Sequence, residues 1–92
     1  TTSDYRIKEF IKPIESSENI DKLKPVEYIN KINKKKEYGF IAHELQEIFP
    51  ELVNGDKDDE QMQSVNYIGL IGILVAEIKD LKKRISDLEN KF

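Results

Sequence analysis

Ninety-two residues make one small domain, near the lower size limit for an independent core. A charged fraction of 36% with a net charge of −3 gives no electrostatic pull toward nucleic acid or an anionic membrane. With no cysteine and one histidine, disulfides and thiolate metal ligation are excluded and any metal site would depend on carboxylates.

The chain starts at Thr1 with neither a methionine nor a signal-like apolar stretch, the pattern of a piece of a longer polypeptide. Residues 3–12 alternate loosely, Tyr5 and Ile7 against Arg6 and Lys8, and read as an extended segment closed by Pro13. Residues 16–23 read as a short helix, with Ser16 or Ser17 as N-cap, Ile20 and Leu23 turned inward and Pro25 as the stop. Residues 26–32 and 38–42 are rich in β-branched and aromatic side chains. The polar turn Asn33-Lys34-Lys35-Lys36 between them makes the pair a hairpin. A second short helix over 43–49 points Leu45, Ile48 and Phe49 at the core and ends at Pro50. Residues 54–60 form a polar loop opened by Asn-Gly, 65–67 add a little strand, and Asn66 caps the last helix.

That helix, over 67–92, would be about 39 Å long, more than so small a head can cover. Its ten-residue apolar start, 67–76, is half of the roughly twenty residues a membrane span needs and reads as a buried helix start. Ile68, Leu70, Ile73 and Val75 there are expected inside the core. A heptad seam runs onward, with Ile71, Ile78, Ile85 and Phe92 at a and Leu74, Leu81 and Leu88 at d. So narrow a stripe needs a partner helix, and the simplest partner is a second copy. Flanking pairs Glu77 with Lys82 and Arg84 with Glu89 favour a parallel arrangement, although an antiparallel one also matches Lys82 with Glu89. Isoleucine at a with leucine at d favours two strands, with three as the next choice.

Few residues invite chemistry. Asp56, Asp58, Asp59 and Glu60 lack the spacing and glycine of a calcium loop and read as a solvated loop. Lys34, Lys35 and Lys36 have no aromatic platform and read as a soluble hairpin tip. A basic-zipper reading fails, because the turns before the seam are the most apolar in the chain. Ser3 and Lys8 remain: a neutral lysine can take the proton of a serine hydroxyl, and Arg6 is close enough in sequence to lend positive charge. Their spacing is awkward, since i and i+5 face opposite ways in a strand and lie about 140° apart on a helix. A bend, or a lysine from a neighbouring chain, is required. On the residues alone, a surface lysine and a capping serine are the commoner explanation.

Three stretches carry a family resemblance. They are Ser3-Asp4-Tyr5-Arg6-Ile7-Lys8 with Ile11-Lys12-Pro13-Ile14 and Leu23-Lys24-Pro25-Val26-Glu27-Tyr28, then the run from Tyr38 to Val53, then Val65-Asn66-Tyr67 with the run from Leu74 to Leu81. Together they resemble the C-terminal intramolecular chaperone domain of phage endosialidases, tailspikes and tail fibres, also found in myelin regulatory factor. The resemblance implies an α+β fold. Residues 1–2 end an upstream segment, 3–66 form a small globular head of short strands and helices, and 67–92 form a long helix in a parallel trimeric coiled coil. Three strands then replace the two that the seam alone favoured.

It further implies a homotrimerising chaperone that cuts itself off between Thr2 and Ser3, with Ser3 as nucleophile and Lys8 as its base in a single turnover. Asp4 and Arg6 would be supporting residues that orient the turn or tune Lys8. The family often carries glutamine at the position of His43, which argues against a catalytic histidine. No cofactor or metal is implied. The implied partners are two further copies and the upstream segment of the same polypeptide, with no nucleic acid or membrane contact. The implied setting is a virion tail fibre precursor assembled in the host cytoplasm, its released domain absent from the mature particle. The alternative is a coiled-coil oligomerisation module without chemistry.

Overall fold

Side chains that hydrogen-bond nearby backbone decide where several elements begin or end. The computed structural model describes residues 1–91, so Phe92, the last seam position, lies outside the described residues. Residues 3–12 are not simply extended. A 3₁₀ turn, Tyr5–Ile7, interrupts them, because the Asp4 side chain accepts from the Arg6 backbone N–H and caps it. A second 3₁₀ turn, Glu18–Lys22, is capped by Ser17, one of the two expected caps. Leu23 packs on the core and Pro25 follows.

Strands β1 (Val26–Ile29) and β2 (Lys36–Gly39) form the expected antiparallel hairpin, with Tyr28 opposite Glu37 and Val26 opposite Gly39. Both strands are shorter than the apolar runs that suggested them. Asn30 ends β1: its Oδ1 accepts from the Ile32 N–H at 2.9 Å, and its backbone pairs with Lys34 and Lys35 across the tip. Lys34 sits in the left-handed region at φ 64°, closing the loop. The Glu37 carboxylate accepts from the Asn30 and Asn33 amides, which hold its pKa below the usual range. At the other end, the Phe40 N–H leaves the sheet to donate to Tyr67 Oη at 3.2 Å. Lys36, the first residue of β2, pairs with Glu27 at 2.7 Å.

Helix α1 (Ala42–Ile48) follows directly, and Pro50 opens a 3₁₀ turn, Pro50–Leu52. Two-residue strands β3 (Val53–Asn54) and β4 (Ser64–Val65) pair antiparallel around the polar loop. Gly55 of the Asn-Gly pair takes φ 86°, a conformation that favours glycine. Helix α2 (Tyr67–Glu89) then leaves the head, about 35 Å of it, and elongates the molecule to 54 × 36 × 22 Å.

The core is small: Leu45, Leu52, Val53 and Leu70 are buried, with Leu23, Phe40, Ala42, Phe49, Val65 and Ile73 packed round them. One expectation fails here. Leu70 and Ile73 join the core, but Ile68 is 62% and Val75 49% exposed. The head covers one side of the first turns of α2, and those two residues lie on the uncovered sides.

Asn66 caps α2 as expected, its Oδ1 accepting from the Gly69 N–H at 3.1 Å. A side chain at Gly69 would meet Leu52 Cδ2 at 2.8 Å and the cap amide at 3.1 Å, so the cap, the glycine and the core leucine form one joint. Asn66→Ala is expected to lower unfolding stability by about 1 kcal/mol, measured by urea denaturation at fixed protein concentration.

Candidate active site

Ser3 and Lys8 lie five residues apart in an exposed N-terminal arm, and the turn at Tyr5–Ile7 supplies the bend their spacing requires. The Ile7 N–H donates to the Asp4 carbonyl at 3.3 Å and the Lys8 N–H to the Tyr5 carbonyl at 3.0 Å. The chain therefore doubles back, and Lys8 Nζ donates to Ser3 Oγ at 2.6 Å within one chain. A hydroxyl and an amine in that contact can exchange a proton without further movement.

Asp4 organises the bend. Its Oδ1 accepts from the Arg6 N–H at 2.9 Å and from Arg6 Nε at 3.0 Å, while Oδ2 accepts from the terminal guanidinium nitrogen at 3.0 Å. The Arg6 guanidinium, then its backbone N–H, hold the Asp4 carboxyl below the usual carboxylate range, and the same carboxylate raises Arg6. What Asp4 contributes to the turn is thus present above the usual carboxylate pKa and lost as pH falls through its lowered value. The Arg6 guanidinium is engaged with Asp4 at 3.0 Å.

The other sequence candidates lie elsewhere. His43 is half-buried on α1. The acidic residues 56–60 sit in the loop between β3 and β4, and among the described residues no group of three or more histidine, aspartate or glutamate side chains is arranged to hold a metal ion. Ile71, Leu74, Ile78, Leu81, Ile85 and Leu88 all lie exposed along α2. Glu77, expected to pair with Lys82 of a second copy, accepts from the Ser17 N–H at 2.6 Å and ties the head to the helix. Arg84 approaches Asp80 on its own helix at 3.9 Å. Nothing in the hydrophobic pattern signals the Glu77 contact. The one sequence signal for the Asp4 cap is the residue type itself, since aspartate is a preferred N-cap.

One family model matches the arm that carries Ser3 and Lys8 and the head as far as β3. The chain belongs to the chaperone of endosialidase family, peptidase S74, whose model matches residues 3–54. Among curated proteins it is similar to the long tail fiber protein Gp37 of Escherichia phage AR1, 39% identical over 87 residues that cover 85% of this chain and 8% of that protein. The long tail fiber protein Gp37 of Enterobacteria phage K3 is 34% identical over 98 residues, covering 98% of this chain and 8% of that protein. Its counterpart in Enterobacteria phage T2 is also 34% identical, with 7% of its length covered. The chain thus spans less than a tenth of the length of the curated relatives it matches.

Proposed function

We propose that this chain is a tail fibre's C-terminal intramolecular chaperone, which joins three copies through α2 and then releases itself by cutting between Thr2 and Ser3. The observation that carries the chemistry is the 2.6 Å contact from Lys8 Nζ to Ser3 Oγ. Family membership, with a match that begins at Ser3, and the similarity to tail fibre proteins support the setting.

In the reaction, neutral Lys8 takes the Ser3 hydroxyl proton as Oγ attacks the carbonyl carbon of Thr2. The attack closes a five-membered ring, because nucleophile and scissile amide belong to the same residue. Collapse breaks the bond between the Thr2 carbonyl carbon and the Ser3 nitrogen. The nitrogen leaves as an amine with the proton from Lys8, and Thr2 is held as an ester on Oγ. Water hydrolyses the ester, giving a Thr2 carboxylate and the free Ser3 hydroxyl. Each chain turns over once.

The biological logic is kinetic. A fibre built from long-range strand pairing folds slowly and is open to misassembly. Three C-termini clamped together raise one another's effective concentration and set the register. Removing the clamp afterwards takes away the easiest route back and leaves the fibre kinetically trapped.

The test uses the full-length fibre protein with its native upstream segment, followed by intact mass. The wild type is expected to give a fragment that starts at Ser3, and Ser3→Ala a single uncut mass. A wild type that stays whole while trimeric would leave only the oligomerisation module.

A further inference from the structure

The dyad contact needs an explanation, because a five-residue spacing ordinarily keeps such side chains apart. Fully extended, residues 3–8 would span roughly 17 Å, against a contact of 2.6 Å between the two side-chain tips. The turn that closes this gap is three residues long and buries none of them. A lone 3₁₀ turn of that length is not stable through its backbone alone. No core packing holds it, so its support is local.

That support converges on one side chain. Asp4 is the N-cap of the turn, in extended conformation at φ −66°, ψ 138°, and its carboxylate accepts all three of the Arg6 hydrogen bonds. One bond fixes the backbone of the turn and two tether the Arg6 side chain over it. The second role open to this pair is electrostatic, lending charge to the lysine. With carboxylate and guanidinium 3.0 Å apart, the pair presents little net charge to its neighbours.

We infer that Asp4 is a positioning residue for self-cleavage, acting as the hydrogen-bond cap that folds Lys8 onto Ser3 rather than as a charge that tunes the lysine. The inference rests on the self-cleavage reading above. It ranks side chains by acceptor geometry: asparagine and serine can cap the Arg6 N–H without a negative charge, while alanine cannot.

The full-length fibre protein carrying Asp4→Ala, Asp4→Asn or Asp4→Ser is followed by intact mass over time and over pH. Asp4→Ala is expected to slow release about 3- to 30-fold, the range that a lost cap commands. Asp4→Asn and Asp4→Ser should recover most of that loss and, above the usual carboxylate range where Asp4 is ionised, keep the wild-type pH profile of cleavage. An alanine variant that cuts at the wild-type rate overturns the inference. So does an asparagine variant as slow as alanine, or one whose pH profile is displaced above the usual carboxylate range, since either assigns the work to the charge. Hydrogen exchange at the Lys8 amide of the 92-residue chain supplies a second readout that needs no cleavage: alanine should speed it and asparagine restore it. A wild type that never cuts overturns the self-cleavage reading itself, which separates the two failures.

Discussion

Lys8→Arg is expected to leave the full-length chain uncut, although arginine can still donate a hydrogen bond to Ser3 Oγ. The substitution separates what the contact holds together from what it transfers. Lys8 Nζ lies 2.6 Å from the hydroxyl, close enough for either role. A guanidinium keeps positive charge and donors but cannot be deprotonated in a protein, so it can hold the serine and never take its proton. Loss of a positioned general base costs about 10²- to 10⁴-fold in rate. On the self-cleavage reading, over a period that takes the wild type to full release, release should be barely visible in Lys8→Arg and in Lys8→Met, by intact mass or denaturing electrophoresis. Circular dichroism should stay unchanged, because the arm is exposed and contributes nothing to the core. If Lys8→Arg cuts at the wild-type rate, the lysine is a tether, and the base must come from another chain or from solvent.

That experiment bears on the one feature the residue pattern could least reveal. Alternation through Tyr5, Arg6, Ile7 and Lys8 suggested extended backbone, and alternation is a signal about burial on two faces. In this arm neither face is buried, so the pattern carried no information and the Asp4 cap decided the conformation. The hairpin was legible because its two runs are β-branched and aromatic on either side of a polar turn. Its ends were not, because Asn30 and the Tyr67 hydroxyl draw the terminal N–H groups out of the ladder. Asn66 was legible as a cap because the chemistry of capping is local. Ile68 and Val75 were misplaced for a different reason: composition shows that a helix start is apolar all round, but only the size of the head decides how many sides it can cover. A contact such as Glu77 with the Ser17 N–H joins residues 60 apart and depends on how the head docks, which no local pattern encodes.

Ile85→Asp should abolish oligomerisation while leaving the head folded, and its position makes the result easy to interpret. Ile78 and Leu81 border the cleft between α2 and the turn at Glu18–Lys22, so changes there could also loosen the head. Ile85 lies beyond that cleft, 55% exposed in a single chain, with Arg84 the last helix residue that lines it. In one copy an aspartate at 85 would lie on the exposed side of α2, outside that cleft, and should cost little. In a parallel trimer, three carboxylates would meet at one a layer of the seam. Each would lose the roughly 1.5–3 kcal/mol that a buried isoleucine contributes, and the three charges would add a penalty for burial beside one another. The substitution should weaken association by more than about 100-fold, since 1.4 kcal/mol already corresponds to a factor of ten. Sedimentation at micromolar concentration should then report about three times the single-chain mass for the wild type and one times for Ile85→Asp, with the head's unfolding still cooperative. An Ile85→Leu control keeps the apolar volume and should stay assembled. If Ile85→Asp sediments like the wild type, the exposed row along α2 is not where copies meet, and the clamp on which the chaperone reading depends must be sought on the head. If it falls apart yet the full-length protein still releases its upstream segment at the wild-type rate, the cut proceeds in single chains and cannot serve as a checkpoint on assembly.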